Sequence, residues 1–311
     1  MNHVNTVKSK DFLTIRDFDR DEICNILNHA ADMKSHPDRY AAALKGKGLA
    51  MIFEKPSLRT RVSFEVGIHQ LGGFSICLLP SDINLGKRES VHDVAKNLER
   101  MVNGIMIRTF AHKIAVDLAA SSSIPVINGL TDYSHPCQAM ADFFTIRERK
   151  GKLPGLKLCF IGDGNNVAHS LMFAGARLGV HVTVACPLGY EPNEAAVRHA
   201  REDAKRTNTR IEVTHEPVEG VLDADVVYTD VWASMGQESE AQKRSAVFRP
   251  FQVNAALMSH AKSDAIFMHC LPAHRGDEVT DEVIDSPASV VFQEAENRLH
   301  VQKAIMVELM R

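Results

Sequence analysis

Two spacings of apolar residues alternate along most of the chain. Short apolar runs recur at 49–54, 74–79, 104–108 and 124–127, and again at 158–161, 181–185, 211–214, 226–229 and 265–269. Runs of that length, rich in Ile, Val and Phe, predict strands buried on both faces. Between them the spacing changes to that of helices. Asp19 and Asp21 open one, with Ile23, Ile26, Leu27, Ala30 and Met33 on a single face, and 90–101 predicts another through Val91, Val94, Ala95 and Leu98. Strand–helix alternation of this kind predicts an α/β fold with parallel sheets covered on both sides. The helical stretch 136–150 joins the two series, and the sequence GKLPG at 151–155 separates it from the next strand. The expected architecture is therefore two doubly wound parallel-sheet domains, residues 1–138 and 139–293, joined by an interdomain helix, with an active site in the cleft. Periodicity alone leaves open which domain takes the last helix, about 295–310.

A chain of 311 residues exceeds the size at which one core stops growing, which agrees with two domains. A hydrophobic content of 45% and a charged content of 24% are those of an ordinary soluble globular enzyme. With a net charge of −3 there is no electrostatic reason to expect nucleic acid or an anionic membrane as partner, so an anionic ligand needs a local site. No apolar run approaches a membrane span, and residues 1–12 lack the apolar centre of a signal peptide. The six cysteines (Cys24, Cys77, Cys137, Cys159, Cys186 and Cys270) show no CxxC spacing, as expected of reduced thiols in a cytoplasmic protein.

That local site is predicted at 53–65, FEKPSLRTRVSFE. Pro56 closes the strand that ends at Phe53, Ser57 stands where an N-cap belongs, and Val62, Phe64, Val66, Ile68 and Leu71 are read as the apolar side of the following helix. Open backbone amides at a helix start, with the hydroxyls of Ser57 and Thr60 and the guanidiniums of Arg59 and Arg61, make a phosphate cradle. Two arginines in the first turn oppose the helix dipole, which a helix built for stability alone avoids. The plain alternative is a pair of surface arginines beside a cap.

In open α/β sheets ligands bind beyond the carboxyl ends of strands, so the residues after each run carry the candidate chemistry. Arg108 ends one run, and is read either as a ligand or as a charge reaching solvent. His135-Pro136-Cys137-Gln138 sets an imidazole at a helix N-terminus, where the dipole favours the neutral ring; a cap neighbour is the alternative. Gly162-Asp163-Gly164-Asn165-Asn166-Val167 resembles a dinucleotide turn but lacks the third glycine, and no acid follows the next strand; it also reads as a turn presenting the amides of Asn165 and Asn166. Asp230 to Gln237, which holds the only tryptophan, leads into a polar stretch that reads as a lid or as a surface loop. His269-Cys270-Leu271-Pro272 ends the last strong run; its Cys and His complete no standard metal pattern, and a buried structural cysteine is the alternative.

Together, Ser57-Leu58-Arg59-Thr60-Arg61, His135-Pro136-Cys137-Gln138, Asp230…Ser234-Met235-Gly236 and His269-Cys270-Leu271-Pro272 resemble the aspartate/ornithine carbamoyltransferase family, the last two being more specific to its ornithine branch. The resemblance runs from about Phe12 onward. It implies transfer of the carbamoyl group of carbamoyl phosphate to the δ-amine of L-ornithine, giving L-citrulline and phosphate, without metal or organic cofactor. It implies a carbamoyl-phosphate domain at 1–138, onto which the final helix (about 294–311) packs back, and an ornithine domain at 139–293. Ser57, Leu58, Arg59, Thr60, Asn84, Arg108, His135, Gln138, Cys270, Leu271 and Arg298 then take carbamoyl phosphate, and Asn166, Asp230, Ser234 and Met235 take ornithine. Arg108, His135, Asp230 and Cys270 are the expected catalytic set, and a homotrimer or higher multiple is the expected assembly. Leu58 departs from a frequent threonine, and Asn84 from a frequent glutamine or histidine. Two other classes compete: an NAD-dependent dehydrogenase using the 162–167 turn, and a non-catalytic binder of anionic metabolites.

Overall fold

The computed structural model describes residues 7–233 and 240–311. The chain forms two compact units, Met1–Ala141 with Asn297–Arg311, and Asp142–Glu296. Helices Pro136–Lys150 and Val291–Met310 carry it across the two boundaries.

The first unit holds a parallel sheet of β1 (Gly48–Phe53), β2 (Phe74–Leu78), β3 (Gly104–Arg108) and β4 (Val126–Leu130), in the order β2-β1-β3-β4. Central β1 is buried along its whole length, whereas edge strand β2 leaves Phe74 and Ile76 about half exposed. The fourth strand lies two to three residues later than the apolar run suggests. Pro125 has no N–H to give the ladder, so pairing starts at Val126 and continues to Leu130. Phe12 adds a bridge to this strand, donating its amide to the Val126 carbonyl at 2.9 Å and accepting from Asn128 at 2.8 Å. Ile52, Ile105, Ile107, Val126, Leu118 and Val94 pack one face of the sheet.

From β1 the chain moves to β2 on one side and then crosses to β3 on the other. The carboxyl ends of β1 and β3 are thus neighbours at a switch point, with Phe53 opposite Arg108 and the Glu54 amide donating to the Arg108 carbonyl at 2.8 Å. Whatever follows Phe53 is brought beside Arg108 by topology alone.

In the second unit the parallel order is β7-β6-β5-β8-β9, from β5 (Lys157–Ile161), β6 (His181–Ala185), β7 (Ile211–Thr214), β8 (Val226–Thr229) and β9 (Ile266–His269). Its switch point falls between β5 and β8. Ile161 pairs with Thr229 and Thr229 with His269, so the residues that follow all three strands share one edge. Cys159, Ile161, Val227, Phe267, Val253 and Val279 form part of the core beneath it.

Candidate active site

In the first unit the helix Leu58–Gln70 starts at the β1–β3 switch point. Ser57 caps it, its hydroxyl accepting from the Thr60 amide at 3.2 Å. The buried side is Thr60, Ser63, Phe64, Gly67, Ile68 and Leu71. Val62 and Val66, expected on that side, are 48% and 39% exposed, because at 100° per residue they fall opposite Phe64 and Ile68. Arg61 also differs from expectation: it points to solvent and pairs with Glu65 at 3.0 Å, leaving Arg59 as the arginine of the helix start.

The loop after β4 is fixed before His135 is reached. Thr131 accepts from the Ser134 amide at 3.2 Å and donates its own amide to the Ser134 carbonyl at 2.9 Å, while the Asn128 side chain donates to the Leu13 carbonyl at 2.8 Å. The His135 carbonyl accepts from the amides of Gln138 and Ala139, opening helix Pro136–Lys150. Cys137 is buried, its thiol pushed up to about 12 by that burial and directed at the Asn128 carbonyl. The thiol is part of the packing.

Arg298, buried in helix Val291–Met310, donates from Nη1 to Gln138 Oε1 at 2.6 Å and from Nη2 to Thr60 Oγ1 at 3.1 Å. The Gln302 amide, with its oxygen toward the guanidinium, accepts at 2.8 and 3.1 Å, and its nitrogen reaches Ser63 Oγ. Close approach of this helix to Leu58–Gln70 depends on Gly67, where a Cβ would come within 3.1 Å of Met306 and 3.2 Å of Lys303. Burial first, and then the charges of Arg298, Arg108 and Arg59, hold the His135 imidazolium well below its usual range. The ring is therefore neutral, able to donate one hydrogen bond, within a field of three guanidiniums.

In the second unit Asn165 caps helix Asn166–Leu178, its oxygen accepting from the amides of Val167 and Ala168 at 2.9 and 3.2 Å. Its nitrogen donates to Asp230 Oδ2 at 2.8 Å, and the Cys270 thiol donates to Asp230 Oδ1 at 3.1 Å. Burial, and next the Asp230 charge, raise the Cys270 thiol well above its ordinary range, so it is a donor and not a thiolate. His269 is wholly buried and accepts at Nδ1 from the Leu271 amide at 2.8 Å; the proton is then on Nε2, donated to Glu278 Oε1 at 3.1 Å. Asp230, His269 and Cys270 bring one possible ligand atom each within 4.8 Å of one another. With both imidazole nitrogens engaged and the thiol protonated, this donor set does not fit a metal.

Gly164 of the 162–167 turn has a packing role. A Cβ on Gly164 would stand 2.1 Å from the Pro192 nitrogen, and Asp163 pairs with Arg244 at 2.9 Å. Arg244 also donates to the Trp232 carbonyl at 2.9 Å, and the Trp232 ring lies against Phe248 at 6.0 Å. The turn is occupied by its own protein, which removes the main support for a dinucleotide.

The family model for the carbamoyl-phosphate-binding domain of aspartate/ornithine carbamoyltransferases matches residues 10–148, and that for the Asp/Orn-binding domain matches 154–309. The chain belongs to this family. It is 56% identical to an ornithine carbamoyltransferase of Thermococcus kodakarensis, over 98% of each chain. A protein of Pyrococcus furiosus named as the anabolic ornithine carbamoyltransferase is 53% identical, again over 98% of each. A solved structure of ornithine carbamoyltransferase from Pyrococcus furiosus superposes with a TM-score of 0.94 at 54% identity, covering 96% of both chains.

Within this family member the first unit gathers Ser57, Arg59, Thr60, Arg108, His135, Gln138 and Arg298 of the predicted set, and the second gathers Asp230, Cys270 and Leu271 with Asn166 next to the cap. Leu58 is 73% exposed at the helix start, so its backbone is the part at the switch point. Asn84 is exposed and left-handed at the end of the short helix Pro80–Ile83, and among the described residues its recorded bonds stay within its own loop. Ser234 and Met235 lie outside the described residues. Gln302 and Glu278 join the set from the structure, and Asn165 acts through its side chain as well as its turn amide. The cap position of Asn165, one residue before Asn166, was the available signal for it; Gln302 and Glu278 carry no local signal.

Proposed function

We propose that this chain is an ornithine carbamoyltransferase, joining carbamoyl phosphate and L-ornithine into L-citrulline and phosphate. The carrying observation is the convergence of Arg59, Arg108 and Arg298 on a buried neutral His135 beside a capped helix start. Such a field suits a ligand with about two negative charges and a carbonyl to be polarised. The first unit takes carbamoyl phosphate: Ser57, Arg59, Thr60 and the Leu58 amide hold the phosphate, and Arg108 spans phosphate and carbonyl. His135 donates to the carbonyl oxygen while Gln138 and Arg298 fix the carbamoyl end. Asn84 completes the set in this unit. The second unit takes ornithine, with Asn166, Asp230, Ser234 and Met235 at its α-amino and α-carboxylate ends and Cys270 beside the δ-amine.

The δ-amine attacks as the free base, although an alkylammonium titrates near ~10.4 in water. Its nitrogen bonds to the carbonyl carbon, the carbon–oxygen bond to phosphate breaks, and the leaving phosphate takes the amine proton. That route uses no strong general base. It matches a site whose thiol is held protonated and whose imidazole is held neutral. The assembly is a homotrimer or a multiple of it, which the exposed apolar face of Leu58, Val62 and Val66 supports. The direction is biosynthetic and the compartment the cytoplasm. Among the described residues no helix is long and apolar enough to cross a membrane.

Purified protein supplied with carbamoyl phosphate and ornithine should release citrulline and phosphate in equal amounts. No citrulline between mildly acidic and mildly alkaline pH would overturn the reading.

A further inference from the structure

One buried group in the second unit has no part in the reaction as proposed. Glu294 lies in helix Val291–Met310, fully buried, and its two oxygens take different strands. Oε1 accepts from the Tyr228 hydroxyl of β8 at 3.0 Å, and Oε2 accepts from the His269 amide at the end of β9 at 3.1 Å. Asp230 follows Tyr228 by two residues and Cys270 follows His269 directly, so one carboxyl grips both strand ends that present the Asp230–Cys270 hydrogen bond. A second fully buried carboxyl, Asp142 of helix Pro136–Lys150, is hydrogen-bonded to Glu294. Two carboxyl groups can share a hydrogen bond only if one of them carries a proton.

We propose that Asp142 and Glu294 form a carboxyl pair holding a single proton, and that this pair positions Asp230 and Cys270 for the amine substrate. The inference rests on the carbamoyl-transfer reading for its kinetic consequence, not for its structural one. Burial first and the charge of Asp142 second push the Glu294 acid well above the carboxylate range, in keeping with a retained proton. Tyr228 and Cys270 both feel the charges of Asp142 and Glu294, which push the phenol and the thiol up, and a dianion would push both further than a pair holding one charge. The pair is a positioning device, since neither carboxyl is assigned to a reacting atom.

The amide variants separate this from a merely structural role. E294Q keeps the pair at one charge, lets the amide oxygen accept from His269, and lets its nitrogen donate to Asp142 or to the Tyr228 hydroxyl. The infrared difference spectrum of wild type minus E294Q should show the carbonyl stretch of a protonated carboxylic acid at neutral pH, and D142N should abolish the same band. In the carbamoyl-transfer assay E294A should lower kcat about tenfold or more with the KM for carbamoyl phosphate unchanged, while E294Q stays within about threefold of wild type. Absence of the acid band overturns the shared proton, and E294A turning over like wild type overturns the positioning role. If E294A fails to fold, E294Q falling as far as tenfold overturns it as well. A wild-type protein that shows the band but makes no citrulline leaves the pair in place and defeats the acceptor reading instead.

Discussion

Arg298 donates to Gln138, Thr60 and Gln302 together, in a fork that only a planar guanidinium fills. Lysine at this position keeps the charge and loses the geometry. Arg298→Lys should lower kcat/KM for carbamoyl phosphate by about 10- to 100-fold, the equivalent of about 1.5–3 kcal/mol for lost charged hydrogen bonds, as initial-rate kinetics would show. His135 gives a pH prediction. Its folded-state pKa lies well below the unfolded ~6.5, so below that pH the unfolded chain binds a proton that the native ring refuses. Stability from this residue is therefore intact above about 6.5 and declines as pH falls, by up to ~1.4 kcal/mol per unit. Urea melts at pH 7 and 5.5 should show a smaller acid loss in H135N than in wild type. Most of the site was legible at this scale because its residues follow strands: Thr60, Arg108, His135, Asp230 and Cys270 are all near strand ends. Gln302 and Glu294 were not, because their partners are remote in sequence and nothing local distinguishes them from other polar helix residues.

Among the elements, strand positions followed directly from apolar runs, since a strand buried on both faces leaves a continuous signal. The helix after β1 buries a different side from the one its apolar residues suggest. Val62, Phe64, Val66 and Ile68 alternate with period two, but a helix buries 60, 63, 64, 67, 68 and 71, and polar Thr60 and Ser63 are buried against Arg298 and Gln302. Ser57→Ala should destabilise the first unit by about 1 kcal/mol through loss of the cap, measured by chemical denaturation. The Gly162–Asn166 turn shows how a motif misleads: Gly164 is demanded by the backbone of Pro192. Gly164→Ala should cost about 1–3 kcal/mol by overpacking and lower the Tm, and no added nicotinamide dinucleotide should restore it.

For the whole molecule, the exposed face of helix Leu58–Gln70 has a testable consequence. Leu58, Val62 and Val66 lie one turn apart, and the edge strand β2 adds Phe74 and Ile76. If the proposed trimer uses this face, Val62→Lys with Val66→Glu should lower the mass in light scattering while the circular dichroism stays native; an unchanged mass would place the assembly contact elsewhere. The last helix has a consequence of another kind. Asn297–Arg311 belong to the first unit although they are synthesised after the second. A nascent polypeptide thus lacks Arg298, the partner of Gln138 and Thr60, until the ribosome has made the whole second unit. Products that stop inside the second unit leave Gln138 and Thr60 without that guanidinium, so the first unit cannot complete its own packing until its neighbour has been made.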